Sequence, residues 1–457
     1  MTAALSELAA VVLAAGKSTR MKSAMAKVLH PIMGKPMLAY VLDTLQELGL
    51  AKTLVVVGHQ AEAVQARFAD YPVEFVVQEP QLGTGHAVQI AAAALATPPQ
   101  TVVVLCGDVP LLQGETIRQL YQQHRASGAV ATVLTVVLVE PGSYGRIVKD
   151  AQGGVLKIVE ARDASPEELS IREINTGIYC FESAFLREAL LTLRPDNDQG
   201  ELYLTDVIAA ARARRLPVAS LTTTDEDSFQ GINTRVELAA VNARVRQQIN
   251  TRHMLAGVTL IDPETTYIEA GVSIGADTVI YPNCYLQGHT VIGQACLLES
   301  NVKISASRIG NRVTIKMGTV IAESQVADDV QLGPYAHLRP LSDIRAGAKV
   351  GNFVETKKTV LHAGAKANHL TYLGDAEVGE KVNVGAGTIT CNYDGKHKYK
   401  TTIEAGAFIG SNSALVAPVT IGAGAYVGAG SVITADVPPQ KLAIARSRQV
   451  IKEIKNK

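Results

Sequence analysis

The chain has 457 residues, 47% of them hydrophobic, which is more than one compact core accommodates, so two or three domains are expected. Its 43 lysines and arginines are balanced by 43 aspartates and glutamates, and no basic stripe stands out, which argues against a polyanionic nucleic-acid partner. The five cysteines (Cys106, Cys180, Cys284, Cys296, Cys391) lack paired spacing, and such a set suits reduced thiols in a cytoplasm better than a disulfide framework or a zinc site.

The first predicted element is the apolar run Leu8–Ala15. No basic region precedes it and it runs straight into Gly16-Lys17-Ser18-Thr19-Arg20, so it reads as a buried strand rather than a signal peptide. No run approaches the ~18–20 apolar residues of a membrane span, and a soluble cytoplasmic protein is expected. The letters GKST also end an ATPase phosphate loop, but that loop needs a glycine where Val11 stands. What is left is a strand, a Leu13-Ala14-Ala15-Gly16 turn, and the cations Lys17, Arg20 and Lys27. Small residues let backbone amides approach a nucleotide while the cations offset phosphate charge; a tight turn with solvated bases is the plain alternative.

Leu54–Val57, Val102–Leu105 and Val130–Val137 read as further buried strands, and Met37–Leu48 and Ala87–Leu95 as helices. This alternation predicts an α/β, Rossmann-like domain over residues 1–235, with a mainly parallel sheet and a ligand beyond the strands' carboxyl ends. Within it, Gln81–Ala87 (QLGTGHA) is a second glycine-rich turn opening a helix, suited to meeting a base through its backbone. Asp108 follows a strand, where a carboxylate can hold Mg²⁺ but can equally serve as a turn or cap residue.

Leu238, Val241, Val245 and Ile249 recur at helical spacing, predicting one amphipathic linker helix within residues 236–257. From residue 258 to 457 the period changes to six. Ile268, Ile274 and Ile280 keep that step, as do Ile292, Leu298 and Ile304, then Ile309, Ile315 and Ile321, and finally Ile409, Leu415, Ile421, Val427 and Ile433. This hexapeptide repeat is the mark of a parallel β-helix, here of roughly ten coils, whose flat faces invite self-association. Polar residues interrupt the hexads in one region: Arg339, Glu355, Lys357, Lys358, His369, Tyr372, Asn383, Asn392 and Tyr393. His362 and His369 are seven apart with no third candidate nearby, which disfavours a zinc site. A histidine among a glutamate, an asparagine and several cations fits a general base with an orienting partner. The charged tail Ile451–Lys457 reads as solvated.

These residues carry a family resemblance. LAAGKSTRMKSAMAKVLHPIMGKPML, from Leu13 to Leu38, is similar to the signature of sugar-1-phosphate nucleotidyltransferases. GTGHA, GDVPLL, YGRIV, KIVEA, INTGIY, ELYLTD and GINTR follow in that family's order. With the β-helix behind them, nearly the whole chain resembles the GlmU family, bifunctional N-acetylglucosamine-1-phosphate uridyltransferases and glucosamine-1-phosphate N-acetyltransferases. The resemblance implies that the β-helix is left-handed and that the product is UDP-N-acetylglucosamine, a cell-envelope precursor. By the same resemblance Leu13, Ala14, Ala15, Gly16, Arg20, Lys27, Gln78, Gly83 and Thr84 would bind UTP, and Asp108 and Asn233 would hold Mg²⁺. Gly145, Glu160, Asn175, Thr205 and Asn233 would contact N-acetylglucosamine-1-phosphate.

In the β-helix, the resemblance makes His369 the base, polarised by Glu355. Arg339 and Lys357 would hold the phosphate of glucosamine-1-phosphate, and Tyr372, Asn383 and Asn392 its sugar and amine. Ala386, Asn392, Tyr393, Ser411, Ala429 and Arg446 would bind acetyl-CoA, although Arg448 competes with Arg446. A homotrimer with acetyl sites between subunits is implied, with small-molecule substrates and neither nucleic acid nor membrane as partner. Three residues depart from the family pattern: Ser18 replaces a glycine, Ala26 a proline and Cys106 a tyrosine. Two rivals are a single-activity pyrophosphorylase with a regulatory β-helix and a non-catalytic scaffold. The first predicts no polar constellation in the β-helix, and the second predicts erosion of Lys27, Asp108 or Asn233; the sequence shows neither.

Overall fold

The computed structural model describes residues 5–17, 19–95 and 99–454; the departure at Ser18 and the last three residues of the tail lie outside the described residues. The chain divides into two compact units, Met1–Ala243 and Arg244–Lys457, with the division falling inside the Arg235–Leu255 helix.

In the first unit, the Leu8–Ala14 strand is flanked in parallel register by Lys52–Val57 and Thr101–Cys106. These runs are apolar nearly throughout because both faces of the sheet are covered, as a parallel sheet requires. Two cores result, one on each face. Val88, Phe181, Phe185 and Val207 belong to one, and Leu38, Leu42, Phe68 and Leu120 to the other. The strand order is Val218–Thr223, Ala131–Val137, Glu173–Glu182, Thr101–Cys106, Leu8–Ala14, Lys52–Val57, Glu74–Val77.

The sheet is mixed. Glu173–Glu182 runs antiparallel to both neighbours and carries the hairpin Arg146–Lys149/Val155–Val159 at one end. Direction is invisible to a pattern search, because side chains alternate in the same way whichever way a strand runs. The Met37–Leu48 helix has the predicted bounds. The next predicted helix opens at Thr84 rather than Ala87, directly after Gly83 at φ 106°.

The second unit is built of three sheets of 11, 10 and 9 strands, each strand pairing in parallel with the one a coil away. The hexad aliphatics point inward: Leu286, Ile304, Ile321 and Leu338 stack in one sheet, and Leu298, Ile315, Leu332 and Val350 in another. Asp277, Asn283, Asn301 and Asp329 turn corners with φ of 60°, 62°, 62° and 61°, a conformation these side chains tolerate better than others. The aliphatic step shortens at some corners, as from Ile304 to Ile309, without loss of the stack. Between Cys391 and Thr401 the chain leaves its coil as a hairpin, closed by a bridge between Tyr393 and Lys398.

Candidate functional site

Leu13 and Ala14, expected in a turn, are the last residues of the central strand, and the Ala15-Gly16 turn leaves it at its carboxyl end. It packs so closely on the neighbouring turn that a Cβ at Gly58 would stand 2.9 Å from the Ala15 carbonyl oxygen. At Gly16 a Cβ would meet nothing within 4 Å, so that side of the turn is open to a ligand. Gln78 is buried, and its amide donates to the Gly83 carbonyl at 2.9 Å. The loop around Gly83 is pinned by the ELYLTD segment: Leu202 N–H donates to Leu82 at 2.8 Å and Gly85 N–H to Leu202 at 2.7 Å. The Thr84 hydroxyl accepts from Leu204 N–H at 3.1 Å, so it serves this segment.

Thr205 is the next residue of the same segment and donates to Glu160 at 3.5 Å. Burial raises the Glu160 carboxyl above its ordinary range, and the Thr205 hydroxyl opposes that rise. A Cβ on Gly145 would lie 3.5 Å from Glu160 Oε2, and the Gly145 carbonyl accepts from Asn175 N–H at 2.9 Å. These four predicted sugar residues therefore converge. The Asn175 side chain turns inward, donating to the Tyr179 hydroxyl at 2.7 Å and accepting from Gly177 N–H at 3.1 Å. Arg146, only 3% exposed, holds the loop before Gly145 by donating to the Gly142 carbonyl at 3.0 Å and to that of Tyr144.

Beyond the end of the Thr101–Cys106 strand, Lys27 bridges Asp108 Oδ2 and Asn233 Oδ1, 2.8 Å from the latter. Arg20 also donates to Asn233 Oδ1, at 2.9 Å. Asn233 is fixed by a capping box at the start of the Arg235–Leu255 helix. Glu237 Oε2 accepts from the N–H groups of Asn233 (2.6 Å) and Thr234 (2.7 Å), while Glu237 N–H donates to the Thr234 hydroxyl at 3.2 Å.

One carboxylate and one amide oxygen thus converge within reach of a single cation, a donor set that fits a hard divalent metal. Among the described residues no group of three or more His, Cys, Asp or Glu could hold a metal alone, so Asp108 and Asn233 would need further oxygen ligands to complete a metal's coordination. Tyr144, beside Gly231 and Asp108, was not singled out from the sequence as a site residue, although YGRIV contains it; burial raises its phenol. Burial also pushes the Cys106 thiol up to about 12, so it is not a nucleophile near neutral pH.

In the β-helix, His337, Glu355, Tyr372 and Ile389 lie in register on one sheet. Arg339 Nη1 donates to Glu355 Oε1 at 2.8 Å, at the edge where this sheet turns toward the third. Lys357 lies at the same edge, where a contact with Lys398 and the nearby Arg339 charge lower its ammonium pKa while Asp375 opposes. Asn392 is buried and donates to Asp375 Oδ2 at 2.6 Å. The crowding of Arg339, Lys357 and Lys398 makes this edge receptive to an anion. Lys398 was missed because it sits on the hairpin that interrupts the hexads. On the same hairpin Tyr393 is exposed and its hydroxyl donates to the Gly395 carbonyl at 2.6 Å.

His369 occupies the opposite edge of that sheet. Along this edge Gly387 N–H donates to Leu370 at 3.0 Å, Asn412 N–H to Ala386 at 2.7 Å, and Gly430 N–H to Ser411 at 2.8 Å. A Cβ on Gly430 would meet Arg446 Cδ at 3.9 Å. Ala386, Ser411, Ala429 and Arg446 therefore form a column beside His369, whereas Asn383 lies in register between Lys366 and Phe408 on the adjoining sheet. His362 contacts Glu377 at 3.1 Å on the third sheet, away from His369.

Within one chain the expected partnership of Glu355 with His369 is not made. The corner at Phe353 puts residues 352 and 355 on different sheets, and the parallel register sets Asn352, not Glu355, opposite His369. Asn352 Oδ1 lies 2.8 Å from His369 Nδ1, while Glu355 binds Arg339. Lys316, Gln331, Lys349, Asn352, Asn368 and His369 line a cleft of about 210 Å³. Within one chain, the phosphate-receptive edge and the His369 edge are held apart by the width of a sheet.

Residues 10–204 match the family model described as a MobA-like NTP transferase domain, and residues 400–435 match that of bacterial transferase hexapeptide repeats. Among curated relatives, the bifunctional protein GlmU of Trichlorobacter lovleyi is 53% identical, the match covering 97% of each chain. The proteins of the same name from Pelobacter propionicus and Shouchella clausii are each 51% identical, over 98% and 97% of each chain respectively. No helix among the described residues is long and apolar enough to cross a membrane.

Proposed function

The chain belongs to the bifunctional GlmU family, and from that premise we propose how its two units share two group transfers. It is a bifunctional transferase: an acetyl-CoA:glucosamine-1-phosphate N-acetyltransferase and a UTP:N-acetylglucosamine-1-phosphate uridylyltransferase. Its product, UDP-N-acetylglucosamine, serves cell-envelope synthesis. Acetyl transfer belongs to the β-helix. There His369 takes a proton from the 2-amino group as that nitrogen attacks the thioester carbonyl carbon; the C–N bond forms, the C–S bond breaks, and the thiolate of coenzyme A leaves. Arg339 and Lys357, with Lys398 beside them, receive the sugar phosphate. Tyr372, Asn383 and Asn392 orient sugar and amine, and Ala386, Tyr393, Ser411, Ala429 and Arg446 the coenzyme A.

In the first unit, Leu13–Gly16, Gln78, Gly83 and the Thr84 backbone hold the uridine, and Arg20 and Lys27 the phosphates. Gly145, Glu160, Asn175 and Thr205 set the sugar so that its phosphate oxygen faces the α-phosphorus in line with departing pyrophosphate. Asp108 and Asn233 would hold the divalent metal, which we take to be Mg²⁺; when bound it supplies charge neutralisation at the phosphate oxygens. A homotrimer in the cytoplasm completes the reading. The separation of the two β-helix edges within one chain supports acetyl sites shared between subunits.

The observation that carries the proposal is the convergence of Lys27, Asp108 and Asn233 beyond the sheet's carboxyl edge. The test supplies glucosamine-1-phosphate, acetyl-CoA, UTP and Mg²⁺ and follows free thiol and pyrophosphate together. Asp108→Ala should stop pyrophosphate release and spare thiol release. His369→Ala should stop thiol release, with pyrophosphate restored by added N-acetylglucosamine-1-phosphate. Loss of both activities in either folded variant would overturn the two-site assignment.

A further inference from the structure

We infer that Asn352 is the positioning residue for the acetyl-transfer base, holding His369 with Nδ1 protonated so that Nε2 takes the substrate's proton. The inference rests on the reading of His369 as that base. Asn352 and His369 are direct ladder partners at the carboxyl ends of adjacent strands, Lys349–Asn352 and Lys366–His369. The backbone leaves little freedom there. Leu370 N–H donates to the Asn352 carbonyl at 3.0 Å, and the corners at Phe353 and Leu370 both have positive φ, 55° and 46°. One residue earlier the strands approach so closely that a Cβ on Gly351 would stand 1.9 Å from the Asn368 carbonyl oxygen, so only glycine fits.

Asn352 Oδ1 is an acceptor with no proton to give; with the amide turned this way, 2.8 Å from Nδ1, the proton is assigned to that nitrogen. The tautomer follows: Nδ1 carries the proton and Nε2 presents a lone pair. An amide orients the ring without adding charge, unlike the carboxylate common in histidine dyads. The charged groups in the shared cleft are Lys316 and Lys349; Lys366 opens the strand that His369 ends, and Glu355 is engaged by Arg339 on the adjoining sheet.

The test compares steady-state acetyl transfer by full-length wild-type protein, Asn352→Ala, Asn352→Asp and His369→Ala. For Asn352→Ala we expect kcat to fall about 10- to 100-fold, with KM for glucosamine-1-phosphate changed less than about threefold. Uridylyl transfer by the same variant should be unchanged. Asn352→Asp should recover most of kcat and move the acid limb of the kcat/KM profile to higher pH, because a carboxylate favours the imidazolium. Wild-type kcat in Asn352→Ala, with His369→Ala inactive, would overturn the positioning role and leave the base assignment standing. A wild-type rate in His369→Ala would overturn both. Should the alanine variant not fold, an Asn352→Asp profile superimposed on the wild type is enough to refute the role.

Discussion

A single ammonium organises the nucleotide end of the first unit. Lys27 lies between the two oxygens that a divalent metal would use, so in the nucleotide-free protein side chain and metal compete for one place. A triphosphate gives Lys27 another partner and thereby opens the pair. Lys27→Met should therefore raise the affinity of the nucleotide-free protein for Mn²⁺ about tenfold, measured by water-proton relaxation, while lowering uridylyl transfer. Adding Asp108→Asn should erase the gain; equal Mn²⁺ binding in wild type and Lys27→Met would rule the competition out. At this scale the sequence supplied candidates. Lys27, Asp108 and Asn233 were named from motifs, and the structure brings them together. Asn352 and Lys398 were missed because the first is chosen by strand register and the second by a hairpin that departs from the repeat.

Elements show where pattern is sufficient and where it is blind. Hexads could be read directly because each coil buries an aliphatic at the same position, whereas the reversal of Glu173–Glu182 leaves no periodic trace. The Gly114–Ser127 helix adds a pH-dependent contact with the Ala131–Val137 strand: buried His124 has Nδ1 3.0 Å from the Thr132 hydroxyl. Burial, with help from Arg125, lowers the histidine from 6.5 to about 4, although Glu182 opposes. The unfolded chain therefore binds the extra proton first, and this stability, complete above pH 6.5, is lost as the pH falls toward about 4. Urea denaturation of the first unit's signal should show a smaller drop between about pH 7 and about pH 4.5 in His124→Gln than in wild type. Parallel drops would remove His124 from the account of acid sensitivity.

At the scale of the whole molecule, two chemistries are carried by two kinds of core. A solenoid's stability is shared between neighbouring coils, so a cavity in one coil weakens those beside it. Leu338 is fully buried between Ile321 and Thr356, next to Arg339 in the chain. Leu338→Ala should cost about 2–5 kcal/mol and lower the temperature at which acetyl transfer is lost. Residual uridylyl transfer after the same heating should match wild type, and equal loss of both activities would contradict separate cores. By itself the sequence determined the two grammars and the hexad core, because burial imposes a local period, and it named candidate residues from small-residue turns followed by cations. Only the tertiary structure decided which of those residues meet. It placed Asn352 rather than Glu355 beside His369, sent the phosphate-receptive and His369 groups to opposite edges of one sheet, and closed Lys27 onto Asp108 and Asn233. Register and chain direction set those contacts, and neither leaves a mark in the spacing of residues along the chain.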